Sequence, residues 1–405
     1  MKIFIGTSDI ASQIGRMAKG FQALGHQTLT ASAQEGRFQQ SKLDYNFGEM
    51  PFRYFKAIPI PSLRKKLFAK YGAPRERILQ KALKECDLFV FVSFSFRRDL
   101  SDLEEIKRAG KKIAFVFTGS DVRWKNAMAQ DFARFGLPPV PYDDYDDSLD
   151  NLRTRLQFQR VVEKYADVII SMPNQSVLAL RPYHPYRQFV DYELFTNSPT
   201  QRKRPVIVHA ASNSSVKGSK HVLATLEKLK AEGVDFDFKI LSGLPRNEII
   251  AEYENCDILI GQMYIPSGGF QERELLACGK VVLTSMHYDY PDHQLENSPI
   301  VDVNPTNLEA TLRELIPNLE KRQELANKAR PFQEKHHSPV AFCKSLLSWI
   351  SDNSNPPINP TFFRDHFKPV NNAEIDLINE FNALVGDENW YQSFVPPGER
   401  DGMRF

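Results

Sequence analysis

Cysteine is scarce in this chain: its 405 residues include only Cys86, Cys256, Cys278 and Cys343. They are widely spaced, none forms a C-x-x-C pair, and three lie in apolar stretches. That excludes a disulfide framework or a cysteine zinc site and points to buried thiols in a reducing compartment. An excess of either charge is also missing, since 52 Lys and Arg nearly cancel 50 Asp and Glu to leave a formal net charge of +2. Such a balance gives no footing for nucleic acid as a bulk partner. Long apolar runs are absent too; stretches such as Leu88 to Phe96 are far too short to span a bilayer. The opening Met1-Lys2-Ile3-Phe4-Ile5-Gly6 reaches Asp9 with no room for a signal-peptide core, so a cytoplasmic protein is expected. The nine histidines show no ligand spacing. No G-x-S-x-G, P-loop or G-x-G-x-x-G stands in the right context. The Asp-Tyr-Asp triplet in Pro141-Tyr142-Asp143-Asp144-Tyr145-Asp146-Asp147 lies in a Pro-bounded loop ahead of a helix. It reads as a helix-capping loop, and no metal and no cofactor are expected.

What the chain does have is a rhythm of short apolar strand, turn and amphipathic helix. Strands are expected at 2–6, 27–31, 87–94, 112–117 and 167–171, with helices at 10–25, 101–109, 149–165 and 174–181. A polar stretch with two prolines and a basic run, residues 192–205, has the chemistry of a linker. The rhythm then restarts, with strands at 206–210, 236–242, 257–262 and 280–284 and helices at 218–232, 246–254 and 270–278. Alternation of this kind implies parallel sheets covered on both faces. The expected fold class is α/β: two Rossmann-like, doubly wound parallel-sheet domains facing a cleft. The expected domains are 1–193, 194–352 and a C-terminal tail 353–405, extended and helical, that straps back on the first. Ligands of open α/β sheets bind outside the carboxyl ends of the strands, so the loops after strands should line the site.

Two constellations carry chemistry. The first runs from Val208-His209-Ala210 through a Ser/Asn-rich turn to Val216-Lys217-Gly218. It joins a strand end to a helix start, where outward N–H groups favour anions and a lysine adds a point charge suited to diphosphate. The other reading is a polar loop with an ordinary surface lysine. In the second, a buried strand, Asp257 to Gly261, leads through Gln262 and Ser267-Gly268-Gly269 into the helix Phe270 to Cys278, closed by Gly279. Paired glycines let backbone approach a ligand closely. Glu274 falls on a largely apolar helical stripe beside Phe270, Ala277 and Cys278, where a carboxylate needs a partner. It could accept bonds from ribose hydroxyls; alternatively, Glu272 and Glu274 only complement the helix dipole. His209 is read as a satisfied strand-end histidine.

These residues give the second half a resemblance to the donor domain of retaining glycosyltransferases of the GT-B fold, family four (group 1). The family's E-A-x-A-x-G-x-P-V appears as Glu274-Leu275-Leu276-Ala277-Cys278-Gly279-Lys280-Val281-Val282, and its K-G as Lys217-Gly218. In the first half, Phe117-Thr118-Gly119-Ser120-Asp121-Val122-Arg123 is similar to the H-G-S-D-I-R turn of some members. Lys164-Tyr165-Ala166-Asp167-Val168-Ile169-Ile170 looks like their K-x-A-D-x-V-I segment. The resemblance implies that Lys217 holds the donor diphosphate and Glu274 the ribose. Gly268, Gly269 and Phe270 would offer amides to phosphate or sugar, Gly243 and Leu244 would face the base, and Gln262 would contact the donor. Asp121 and Arg123 would lie on the acceptor side. Three positions depart from the pattern: Pro266 stands at the first of two family glutamates, Ser212 to Ser215 where an arginine is common, and Thr118 where the turn has histidine.

The implied activity is transfer of a sugar from a nucleotide-sugar donor, a UDP-sugar, to a glycan or glycolipid acceptor in polysaccharide biosynthesis, with retention and without metal. A non-catalytic nucleotide-sugar or glycan-binding protein and a GT-B nucleotide-sugar epimerase are the alternatives. Residues 61–84 carry eight cations interleaved with Leu63, Leu67, Phe68 and Tyr71. That pattern fits a solvated helix face, or peripheral contact with an anionic membrane.

Overall fold

A computed structural model describes residues 1–33, 42–48, 61–119, 121–134, 136–137, 148–172, 176–211, 214–265, 268–287, 297–352, 363 and 365–383, with backbone alone at 61, 64–71 and 216. The Asp-Tyr-Asp loop, Pro266 and most of the tail lie outside these residues, as do four of the eight cationic side chains of the stretch 61–84, those of Arg64, Lys65, Lys66 and Lys70. The chain forms two compact units that interleave in sequence. One comprises Met1–Asn126, Asp146–Tyr186 and Cys343–Phe405, the other Ala127–Tyr145 and Arg187–Phe342. Relative to a linear division at 193 and 352, residues 127–145 fall with the second unit and 343–352 with the first.

The first unit is built on β1 (Lys2–Thr7), β2 (Gln27–Ser32), β3 (Tyr45–Asn46), β4 (Leu88–Val92), β5 (Lys112–Val116), β6 (Val168–Ser171) and β7 (His184–Pro185). The order across the sheet is β3-β2-β1-β4-β5-β6-β7, and every pairing is parallel. Central strands such as β4, Leu88-Phe89-Val90-Phe91-Val92, are buried at every position, which is why they read as continuous apolar runs. Helices α1 (Gln13–Ala23), α2 (Pro61–Glu85), α3 (Ser101–Arg108) and α5 (Leu149–Tyr165) link them. The Asp9 carboxylate accepts from Ile14 N–H at 2.9 Å at the start of α1, and the Ser148 hydroxyl caps α5 through Asn151 N–H at 3.2 Å.

Residues 176–181 do not form the expected helix; they run as turn and bend. A buried ion pair satisfies their backbone instead. Arg160 and Glu163 sit 2.8 Å apart; Arg160 donates to Leu178 O at 2.7 Å, and Glu163 accepts from Leu180 N–H at 2.8 Å. Helix α13 (Asn372–Ala383) lies along α5, with Asn382 accepting from Arg160 at 3.0 Å and Glu380 from Arg153 at 3.1 Å.

The second unit carries β8 (Val206–Ala210), β9 (Asp237–Leu241), β10 (Ile258–Ile260), β11 (Val281–Thr284) and β12 (Val301–Asp302) in the order β12-β11-β10-β8-β9, again all parallel. Helices α6 (Ser214–Lys217), α7 (Ser219–Ala231), α8 (Arg246–Asn255), α9 (Phe270–Ala277), α10 (Leu308–Leu315) and α11 (Leu319–His336) surround it. One face of its core joins Ile207, Ile260 and Leu283 to Val222, Leu226, Leu312 and Leu315. Met128, Phe132 and Leu137 belong to that same core; the first two lie on α4 (Lys125–Arg134), a helix absent from the sequence expectation. Helix α12 (Pro339–Asp352) completes the set. Among the described residues no helix is long and apolar enough to cross a membrane.

The sequence order of strands reverses once in each sheet. In the first unit the chain winds outward from β1 to β3 and returns to place β4 on the other side of β1; in the second, β10 returns beside β8. The carboxyl ends of β1 and β4, and of β8 and β10, are therefore the places where adjoining loops diverge and leave a crevice.

Candidate functional site

At the β8–β10 switch point the two diverging loops are tied together. Lys217, at the end of α6, accepts through its carbonyl from Met263 N–H at 3.2 Å. Gly218 follows with φ +73°, and a Cβ there would come within 2.7 Å of the Met263 Cβ, so only glycine lets the two loops meet. The Lys217 ammonium donates to Ala210 O at 3.1 Å and to Gln271 Oε1 at 2.6 Å. An ammonium has three N–H groups, so one can still turn toward a ligand. Gln271 and Glu274 are three apart on α9 and share a face. The lysine and the carboxylate singled out from sequence are thus linked through one helix.

The partner that Glu274 requires is Arg246, at the first residue of α8. Its guanidinium donates to both carboxylate oxygens, at 2.6 and 2.8 Å. Burial opposes the Arg246 charge, but the bonds to Glu274 and its charge outweigh that and raise the guanidinium above its ordinary value. Arg246 was not among the expected site residues. Gly243 (φ +67°) and Leu244 precede it in the loop after β9, Gly243 exposed and Leu244 half-buried. Each carboxylate oxygen has a second lone pair, so Glu274 retains capacity to accept from a hydroxyl.

Glu272, by contrast, is fully buried and serves the turn. Its carboxylate accepts from Gly269 N–H at 2.7 Å and from Gln262 N–H at 3.2 Å. The Gly269 amide is therefore engaged. The amides of Phe270 and Gln271, in the first turn of α9, have no carbonyl four residues back within the helix and can face an anion. Gln262 is buried, and its amide nitrogen would lie 3.1 Å from a Cβ on Gly269, which puts it beside the turn. Gly268 has φ +66°, a left-handed conformation that favours glycine. His209, near the end of β8, is satisfied at both ring nitrogens: Nδ1 donates to Ile260 O at 2.8 Å and Nε2 accepts from the Ser219 hydroxyl at 2.8 Å. Burial pushes it below its ordinary pKa, and the charge of Lys217 adds to that. It is a neutral ring clamping the two strands of the switch point.

Asp121 and Arg123, expected on the acceptor side, lie in the first unit, beyond β5. Asp121 accepts from Thr118 N–H at 2.9 Å and Gly119 N–H at 2.7 Å, so its carboxylate shapes the turn that carries it. Burial raises its pKa above the usual carboxylate value, against those bonds and the nearby Arg123 charge. Arg123 is buried. Arg97, shortly after β4, pairs with Glu76 and Glu105 at 2.8 Å each. Among the described residues no group of three or more His, Cys, Asp or Glu side chains is placed to hold a metal ion.

No protein-family model and no curated protein matches this sequence. Solved structures do resemble it. The Anabaena protein HepE in complex with UDP and glucose is 13% identical over 87% of this chain and 99% of its own, with a TM-score of 0.52. Sucrose-phosphate synthase from Thermosynechococcus elongatus is 10% identical over 87% of this chain and all of its own, 100%, with a TM-score of 0.54. A Listeria monocytogenes protein provisionally assigned as a UDP-N-acetylglucosamine 2-epimerase is 10% identical over 88% and 98%, with a TM-score of 0.51. At such identities the likeness establishes the fold: α/β, with two Rossmann-like parallel-sheet units of the GT-B class.

Proposed function

We propose that this chain is a glycosyltransferase that takes a sugar from a nucleotide-sugar donor, a UDP-sugar, and passes it to a glycan or glycoconjugate. The observation that carries this reading is the joining of Lys217, Gln271, Glu274 and Arg246 around α9 at the β8–β10 switch point, beside the Gly268-Gly269 turn. The binding of UDP by HepE, on the same fold, supports it. In this reading Lys217 and the first-turn amides of α9 receive the diphosphate, Glu274 accepts from the ribose, and Gly243 and Leu244 border the base. As the glycosidic bond breaks, negative charge grows on the leaving diphosphate. An ammonium and amides already aimed at that position stabilise it without reorganising, which is electrostatic catalysis with no metal required. Retention of configuration follows from the family resemblance.

The test is binding and turnover together. UDP should raise the unfolding temperature of the parent protein, and Lys217→Ala should remove about 1.5–3 kcal/mol of charge-assisted bonding, seen as weaker UDP affinity and slower donor cleavage. A lysine variant with unchanged UDP affinity and turnover would sink the site. A UDP shift with no transfer to any acceptor would favour a binding protein, and conversion of the donor sugar to its epimer would favour the epimerase.

A further inference from the structure

We infer that Phe94 is a stacking platform for a saccharide ring at the second switch point of the molecule, the carboxyl ends of β1 and β4. Among the described residues of this unit, Phe89, Phe91, Phe96, Phe115 and Phe117 are at most 2% exposed, whereas Phe94 is 56% exposed. Its outward pose is imposed by the backbone. Directly after β4, Phe94 N–H donates to Val92 O at 2.7 Å around Ser93, whose φ is +60°. That is a γ-turn of the rare, positive-φ kind, placed on a residue that is not glycine. Strain of this sort persists where the surroundings over-determine it, and it clusters at ligand sites.

The surroundings here do fix it. The Thr7 hydroxyl, at the end of β1, donates to Phe94 O at 2.9 Å. Ser93 N–H continues the pairing to Val116 O at 2.9 Å, and the buried Asp102 carboxylate holds Ser95 Oγ at 2.8 Å and Phe96 N–H at 2.9 Å. Phe158 of α5 braces the ring at 6.2 Å between centroids and is itself backed by Phe115 and Phe117 at 5.7 and 5.8 Å. The backbone that carries the ring is thus pinned, and the ring is backed from the core. Beside it the Ser93 and Thr118 hydroxyls bond one another at the ends of β4 and β5.

An exposed, backed aromatic face next to the half-buried Thr118 hydroxyl, in the crevice where an open α/β sheet binds ligands, suits a pyranose. The sugar's axial C–H groups meet the electron-rich ring face, while an equatorial hydroxyl exchanges bonds with the half-buried Thr118. A saccharide is favoured over a phosphorylated ligand because the exposed Phe94 ring and the Thr118 hydroxyl carry no charge. Identifying this ring as that of the acceptor rests on the transferase reading; the stacking site itself does not.

The test uses the full chain and saturation-transfer NMR with methyl α-glucoside, methyl α-galactoside, N-acetylglucosamine, maltose and uridine, on the parent, Phe94→Ala and Phe94→Trp. The expected result is saturation concentrated on the C–H groups of one saccharide face, affinity about tenfold weaker in the alanine variant, and affinity kept in the tryptophan variant. The UDP-induced thermal shift should be the same in all three, which also shows that the variants fold. The inference is overturned if the parent binds none of the saccharides, if Phe94→Ala binds them as the parent does, or if only uridine responds to the substitution. A parent that binds saccharide through Phe94 yet shows no UDP shift would overturn the proposed function and leave this site standing.

Discussion

A carboxylate on the apolar side of a helix needs a cation, and Glu274 meets its own 28 residues earlier in the chain. Lys217-Gly218 could be found by eye because strand end, turn and helix start are contiguous. Arg246 could not, because its meeting with Glu274 depends on β9 lying beside β8 and β8 beside β10, a neighbourhood set by the sheet. The demand for a partner was legible in the sequence; its identity was not. Removing one member leaves the other charged and poorly hydrated, since the Glu274 side chain is only 7% exposed. Arg246→Ala should therefore lower stability by about 1–3 kcal/mol in urea unfolding and weaken UDP binding. Adding Glu274→Gln to it should recover part of that loss, a coupling of about 1–2 kcal/mol in a double-mutant cycle. Strictly additive losses would mean that the two side chains act independently.

At the scale of an element, the helix α9 and the turn before it depend on Glu272. Its carboxylate accepts from two amides, those of Gly269 and Gln262. Glutamine in its place brings an NH₂ group that faces one of these donors and cannot accept from it. Glu272→Gln should cost about 1–3 kcal/mol in stability and also loosen the turn, so that UDP affinity falls although residue 272 touches no ligand in the proposed arrangement. Calorimetric titration with UDP together with thermal unfolding checks both effects; a loss of stability with intact UDP affinity would make the residue purely architectural. The regular elements were the legible ones, because a buried parallel strand or an amphipathic helix prints its period in the residues. The failures have local causes. The stretch 176–181 has an apolar pattern fit for a helix, yet its polar backbone is captured by Arg160 and Glu163, which act from α5. Strands β3, β7 and β12 are two residues each, too short to show any alternation. The Gly269 amide, attractive as an anion donor in a one-dimensional reading, is engaged by a carboxylate three residues on.

For the whole molecule, several histidines are locked inside as neutral rings. Burial, then the Arg181 charge, pushes His184 down from 6.5 to about 4 while it stacks on Trp349 at 4.2 Å. Burial also lowers His209, and it carries His337 well below the ordinary value. Between 6.5 and about 4 the unfolded chain takes up a proton at His184 that the folded chain refuses. The unfolded state binds more protons there, so stability falls as pH falls through that window, by up to about 3 kcal/mol from His184 alone. Urea unfolding of the parent and of His184→Asn should differ less near pH 4 than near neutrality, and an NMR titration should place the His184 midpoint close to 4. A midpoint near 6.5 would refute the assignment.

The pairing of two like units was readable from the strand–helix rhythm, since each repeat needs the next to cover its apolar face. Membership of the units was harder to read. Residues 127–145 precede the polar linker, yet Met128, Phe132 and Leu137 fill the core built on β8, β10 and β11. The backbone accordingly passes from one unit to the other after Asn126, Tyr145, Tyr186 and Phe342. Grafting the second unit onto another scaffold would thus require two separate blocks of coding sequence, rejoined by a designed splice, because a single contiguous cassette leaves a hole where those three side chains belong.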